Sequence, residues 1–170
     1  MILVRDLDKL KNDSKEFRIW IEEIQKLNDT LEQYLFDKRK KWNDAIDPLL
    51  KQLKTKSQDE IIELQALALS YRQQLSDEIS TYLNKLSKEM ISLKKAEADR
   101  FMFYSTGFGI KTNTGEKKIL FDAELAELER NKEILQTHIE FVRDCRTTCD
   151  NVSWALKNKI QLMGILDNAL

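Results

Sequence analysis

Arg100-Phe-Met-Phe-Tyr-Ser-Thr-Gly-Phe-Gly-Ile-Lys-Thr-Asn-Thr-Gly-Glu-Lys-Lys118 is the one stretch in which this chain stops favouring helix. It holds three of the four glycines (Gly107, Gly109 and Gly115) and four of the eleven Phe and Tyr residues, edged by Arg100, Lys111, Lys117 and Lys118. Glycine is a poor helix residue, and long helical patterns flank the stretch on both sides. It therefore reads as a turn that folds one helix back on another. Two uses of such a turn are open. Aromatics, glycines and cations together can stack flat groups and hold phosphates. Equally, Phe101 and Phe108 can staple an ordinary hairpin tip, because aromatic side chains are commonly buried at helix turns.

Before the turn, Ser57-Gln58-Asp59-Glu60 forms a capping box ahead of Ile61 and Ile62. Leu64, Ala68, Tyr71, Leu75, Ile79, Tyr82, Leu86, Met90 and Leu93 then keep helical spacing, and the helix is expected to run to Tyr104, about 70 Å at 1.5 Å per residue. Its four-four steps point to a locally unwound supercoil. A helix of that length cannot bury itself alone. After the turn, the last helix is expected from near Lys117 to about Asp167. Its stripe is Leu128, Leu135, His138, Val142, Cys145, Cys149, Val152, Leu156 and Met163. Leu125, Ile139 and Phe141 add apolar surface in a second register. A helix apolar on two sides meets two partners: here the preceding helix and, by expectation, a neighbouring subunit.

Toward the N-terminus, Leu7, Leu10, Ser14, Phe17, Ile21, Ile24, Asn28, Leu31 and Leu35 step by threes and fours, a heptad seam. A polar Asn28 within such a seam fixes register. Asp13 and Glu16 have capping-box spacing, which sets the first dozen residues apart as a short helix. The pattern ends near Trp42, and Asp47-Pro48 reads as a cap followed by proline in a first turn, a break between helices. No internal repeat or strand-like alternation is evident. The expected fold is all-α: a long antiparallel helical hairpin with coiled-coil-like packing and an additional N-terminal helix. Its segments would be 1–56 and 57–170, with the glycine and aromatic turn at 101–117.

Composition bounds the function. Charged residues make up 34% of the 170 positions, apolar ones 42%, and the net charge is −1. Such a balance gives no global attraction to nucleic acid or acidic membranes, so anion binding must come from local patches or from repetition. No run approaches the ~18 apolar residues of a membrane span, and the opening residues lack a signal-peptide pattern. A soluble, reduced, intracellular protein is expected. His138, Cys145 and Cys149 share a stripe but lack a fourth metal ligand and a paired CxxC knuckle, so helix packing is the expected role. With one histidine, no phosphate loop and no nucleophile motif, neither catalysis nor a cofactor is expected. Lys38-Arg39-Lys40-Lys41-Trp42 is a compact basic cluster, which either caps a helix C-terminus or contacts phosphate.

Arg100-Phe-Met-Phe-Tyr-Ser-Thr-Gly107 resembles the basic-then-Tyr-Tyr-Ser-Gly signature of phage UvsY-type recombination mediators. Ile139-Glu-Phe-Val and Asn151-Val-Ser-Trp-Ala-Leu-Lys-Asn-Lys-Ile160 are similar to that family's closing pattern. Leu7-Asp-Lys-Leu-Lys-Asn-Asp-Ser14 is similar to its short N-terminal helix, and Ser70-Tyr71 falls where members carry a comparable pair. The likeness covers roughly residues 70 to 165. Thr106 intervenes before Gly107, Ala98 stands where a basic residue is usual, and the helical segment from Phe17 to Glu60 has no counterpart. The resemblance implies a non-catalytic, oligomeric helper of DNA recombination and repair in the cytoplasm, the host's if the chain is phage-encoded. It would bind single-stranded DNA and help load a RecA-like recombinase onto strands covered by single-strand-binding protein. Together with the composition of the turn, it places Arg100, Lys111, Lys117 and Lys118 on phosphates. Tyr104, with Phe103 or Phe108, would stack on bases, and Lys94 and Lys95 would add secondary contacts. The alternative is a helical structural or coiled-coil adaptor, such as a phage particle component, whose turn aromatics are buried packing.

Overall fold

The computed structural model describes residues 14–54, 57–105 and 114–167. Three helices account for nearly all of them: α1 (Ser14–Gln52), α2 (Gln58–Ser105) and α3 (Thr114–Asp167). The chain is all-α, as the spacing of its apolar residues predicts. The expected short helix in the first dozen residues, with its Asp13 cap, lies outside the described residues, as does most of the glycine turn.

The start of α2 follows its capping signal. The backbone N–H of Glu60 lies 3.5 Å from the Ser57 hydroxyl, and the N–H of Ile61 donates to the Ser57 carbonyl at 3.1 Å. Asp59 and Glu60 add negative charge to the first turn, where the helix dipole favours it. Asp47-Pro48 does not break the chain as expected. Pro48 sits inside α1, which continues to Gln52. The missing N–H and the ring's clash with the preceding turn are a local cost. Ile46 and Leu49, on either side of Pro48, are buried in a core, and that packing offsets it.

Packing divides the chain into two compact units, each drawing on all three helices. One takes the described residues up to Tyr34 and within Asn84–Thr137; the other takes Leu35–Leu83 and the described residues within His138–Leu170. The sequence divides along its length at 56, whereas each packed unit takes stretches of all three helices. In the first unit, Trp20 and Ile24 of α1, Leu93 and Ala96 of α2, and Leu125 and Leu128 of α3 form the core. In the second, Ile46 and Leu49 of α1, Ile61 to Ile79 of α2 and Val142 to Leu156 of α3 do so. In the second unit α2 and α3 are antiparallel, since Arg72 pairs with Asp150 and Glu78 with His138; in the first, Arg100 of α2 pairs with Glu124 of α3.

Both cores draw on α1 as well as α2 and α3, so α1 is one partner of α3 within the chain, and Leu125 of the second register is buried in the first core. Lys159 of α3 also reaches the Leu53 carbonyl at the end of α1, at 3.1 Å, satisfying an acceptor that the helix itself leaves open.

Asn28, in the heptad seam, is fully buried in the first unit. Its amide donates to the Glu127 carbonyl at 2.7 Å and to Glu127 Oε2 at 3.1 Å. Its oxygen accepts from the Asn131 amide at 2.6 Å. One residue thus aligns α1 with α3 through three bonds. Asn28→Leu is expected to destabilise this unit by about 2 kcal/mol, because the Asn131 amide loses its acceptor in a dry site. Urea unfolding followed by circular dichroism measures it, and an unchanged midpoint would refute the alignment role.

Candidate nucleic-acid interface

The expected site residues separate into three groups. Arg100 is the one whose environment opposes the expected role. It is 3% exposed, and its Nε and Nη2 donate to the two carboxylate oxygens of Glu124, each at 2.8 Å. The guanidinium also lies 4.3 Å from the centroid of the Phe103 ring, a cation–π contact. Arg100 is therefore committed to joining α2 and α3 in the first unit and does not present itself to a phosphate. Phe103 is half-buried against it, so part of its π surface is already used.

Lys94, Lys95 and Lys118 form the second group, all exposed. They fit the expected contacts with an anionic backbone. The third group falls outside what the structure describes: Phe108 and Lys111 altogether, and the side chains of Tyr104 and Lys117.

Phe101, which the sequence offers both as a base-stacking ring and as a staple of the hairpin tip, is 66% exposed. It stands seven residues after Lys94, on the same side of α2. The signal was present in the helical spacing. Leu93, Ala96 and Arg100 mark the inward side of α2, and Phe101 falls well away from it at 3.6 residues per turn.

In the second unit, the expected metal and phosphate candidates meet in a different arrangement. Glu78 of α2 gathers donors from both other helices. Lys38 Nζ donates to Oε1 at 3.1 Å, Trp42 Nε1 to Oε2 at 2.9 Å, and His138 Nε2 lies 3.0 Å from Oε1. A carboxylate only accepts, so Nε2 carries the imidazole proton in this pair. His138 is fully buried, with the Tyr82 ring edge-on at 4.5 Å and Phe141 stacked at 6.5 Å. Burial works to raise the Glu78 carboxyl, but the bonds from His138, Trp42 and Lys38 outweigh it and hold the group down at about 2. Lys38 is thereby withdrawn from the basic cluster, and Trp42 is packed, edge-on to Tyr71 at 5.8 Å.

Cys145 and Cys149 are buried free thiols on α3. Burial, together with the Cys149 thiol and the Asp144 and Glu78 carboxylates, pushes Cys145 up to about 11. Thiolate is the reactive form, so both cysteines are expected to resist iodoacetamide at pH 7.5 in the native state and to react within minutes in urea. Mass spectrometry reads the difference, and fast native labelling of Cys145 would contradict it. Among the described residues no three His, Cys, Asp or Glu side chains converge as metal ligands, and no helix is long and apolar enough to cross a membrane. A groove of about 400 Å³ in the second unit is lined by Gln52, Glu60, Glu63, Leu64 and Leu67. Its two carboxylates make it unsuited to an anion.

The chain matches no protein-family model, no curated protein and no solved structure.

Proposed function

We propose that this chain is a non-catalytic recombination mediator that binds single-stranded DNA beside the α2–α3 turn and helps load a RecA-like recombinase. The observation that carries the proposal is the exposure of Phe101 together with Lys94, Lys95 and Lys118. An aromatic face held in water beside cations is what a base-stacking, phosphate-neutralising surface requires. The likeness of Arg100–Gly107 to the UvsY-type signature supports the same surface, with one change of role: Arg100 braces the hairpin, and its neighbours make the contacts. Tyr104, Phe108, Lys111 and Lys117 join the proposal through that likeness and the composition of the turn. Single-strand-binding protein would be the competitor displaced from the strand. A site of so few cations gains affinity by repetition in a homo-oligomer, and Trp154 and Leu162, both exposed on α3, are apolar side chains open to self-association.

Fluorescence anisotropy of a labelled, mixed-sequence single strand tests the proposal. Binding is expected to exceed that of duplex and to weaken with salt by about 0.7 log units per neutralised phosphate per decade. Phe101→Ala is expected to weaken it about tenfold, as loss of one stacked base does. The triple variant Lys94→Glu, Lys95→Glu, Lys118→Glu is expected to abolish it with the helices intact. Absence of binding at low salt, from folded protein, would leave the helical adaptor as the better description.

A further inference from the structure

The side of α2 turned furthest from the first unit's core carries a pattern that packing does not explain. With Leu93, Ala96 and Arg100 buried on the inward side, helical geometry places Lys88, Ile91, Lys95, Ala98 and Met102 on the outward one. All five are exposed, Ile91 at 67% and Met102 at 60%. They follow one another at steps of three or four, a strip about 21 Å long at 1.5 Å per residue. The outermost line of a surface helix is normally polar, and this chain has charged residues at 34% of its positions. A single exposed aliphatic residue is ordinary. Large apolar side chains repeated along one line, interspersed with lysines, mark an interaction surface.

The acidic residues of this part of α2 lie off the strip. Glu89, Glu97 and Asp99 are each half-buried, Glu89 toward the core side and the other two at the flanks. The strip itself is cationic and apolar, so its complement is acidic and apolar. Ile91, Ala98 and Met102 have no π surface on which a base could stack, so the apolar positions of this line do not seat bases. The apolar line is also narrower than the face of a helix that lies in a membrane interface.

We propose that this strip docks an acidic amphipathic helix of a partner protein. Ile91, Ala98 and Met102 seat the partner's apolar side chains, and Lys88 and Lys95 pair with its carboxylates, a helix-on-helix mode of recognition. The strip shares Lys95 with the nucleic-acid proposal, whose Lys94 and Phe101 lie along one flank of it, and Lys88, Ile91, Ala98 and Met102 belong to the strip alone.

The probe is a fluorescein-labelled peptide of about 20 residues, long enough to form helix, built of glutamates with leucines at positions three and four apart. It is titrated with the full chain. Saturable, salt-weakened binding is expected, with loss of about tenfold, 1.4 kcal/mol, in Ile91→Ser/Met102→Ser and again in Lys88→Glu/Lys95→Glu. Lys40→Glu/Lys41→Glu, exposed in the other unit, is expected to leave affinity within about twofold, the usual outcome away from an interface. Circular dichroism melts identify any variant that is unfolded, and Ile91→Thr/Met102→Gln then replaces it. Three results overturn the proposal: no binding by the folded chain, binding lost through the lysines but not the aliphatic residues, or loss in Ile91→Ser/Met102→Ser confined to a single strand or to phosphatidylserine vesicles.

Discussion

Glu78→Leu is expected to destabilise the second unit by about 3 kcal/mol or more, the cost of leaving buried charged and polar groups without their partner. Lys38, Trp42 and His138 all direct a proton at this one carboxylate. Leucine fills the space and accepts nothing. His138 suffers most, being fully buried and unable to recover its bond from water. Denaturant unfolding at pH 7 measures the loss, with Cys145 labelling as a local reporter of opening. A change below about 0.5 kcal/mol, the range of an ordinary surface substitution, would show that the convergence on Glu78 has no energetic weight.

The same carboxylate makes stability depend on acid. Its folded value, about 2, lies below its ordinary 4.5. The unfolded chain therefore takes up a proton first as pH falls. The stabilisation from Glu78 is complete above the unfolded value and is lost progressively as pH drops from 4.5 toward 2. At about 1.4 kcal/mol per unit, that loss is on the order of 3 kcal/mol. Glu78→Leu removes this contribution, so the difference between wild type and variant should narrow over the same window. Parallel stability curves for the two proteins from pH 6 to pH 2 would contradict the assignment.

Arg100→Glu is expected to cost the first unit about 3 to 5 kcal/mol, the range for breaking a buried ion pair and leaving an unpaired charge. It would set a second carboxylate against Glu124 in a site where Arg100 is 3% exposed. The double variant Arg100→Glu/Glu124→Arg restores opposite charges and is expected to recover about half of the loss, as coupled neighbours do in a double-mutant cycle. That recovery separates a structural arginine from a phosphate-binding one. If Arg100 served DNA, the exchange would restore stability yet leave single-strand affinity as low as in Arg100→Glu. If it braces the hairpin, stability and affinity should return together. No recovery of stability would show that the pair is not what holds α2 to α3 at this level.

Much of the architecture was legible from spacing alone. The heptad steps of α1, the Ser57 cap and the long apolar stripes of α2 and α3 lie within a few turns of one another in sequence, and local helix geometry converts them directly into faces. The break expected at Pro48 failed for the opposite reason: a local penalty was overridden by the burial of Ile46 and Leu49 in contacts with distant segments. The candidate site divides in the same way. The exposure of Lys94 and Lys95 follows from their positions between Leu93 and Ala96, both buried, whereas that of Lys118, one heptad before buried Leu125, does not. The burial of Arg100 does not, since a basic residue beside an aromatic turn looks the same in sequence whether or not a carboxylate waits across the hairpin.

What the sequence by itself determined is the helical class, the spans of α2 and α3 to within a few residues and the side of each helix that seeks cover, because those depend on periodicity and caps within a few residues. What only the tertiary structure decided is which distant groups share a level. Asn28 meets Asn131, Glu78 meets Lys38, Trp42 and His138, and Arg100 meets Glu124. Each pairing depends on the register between helices tens of residues apart in the chain. That register is set within each unit by the packing of its own core, a property no single segment contains.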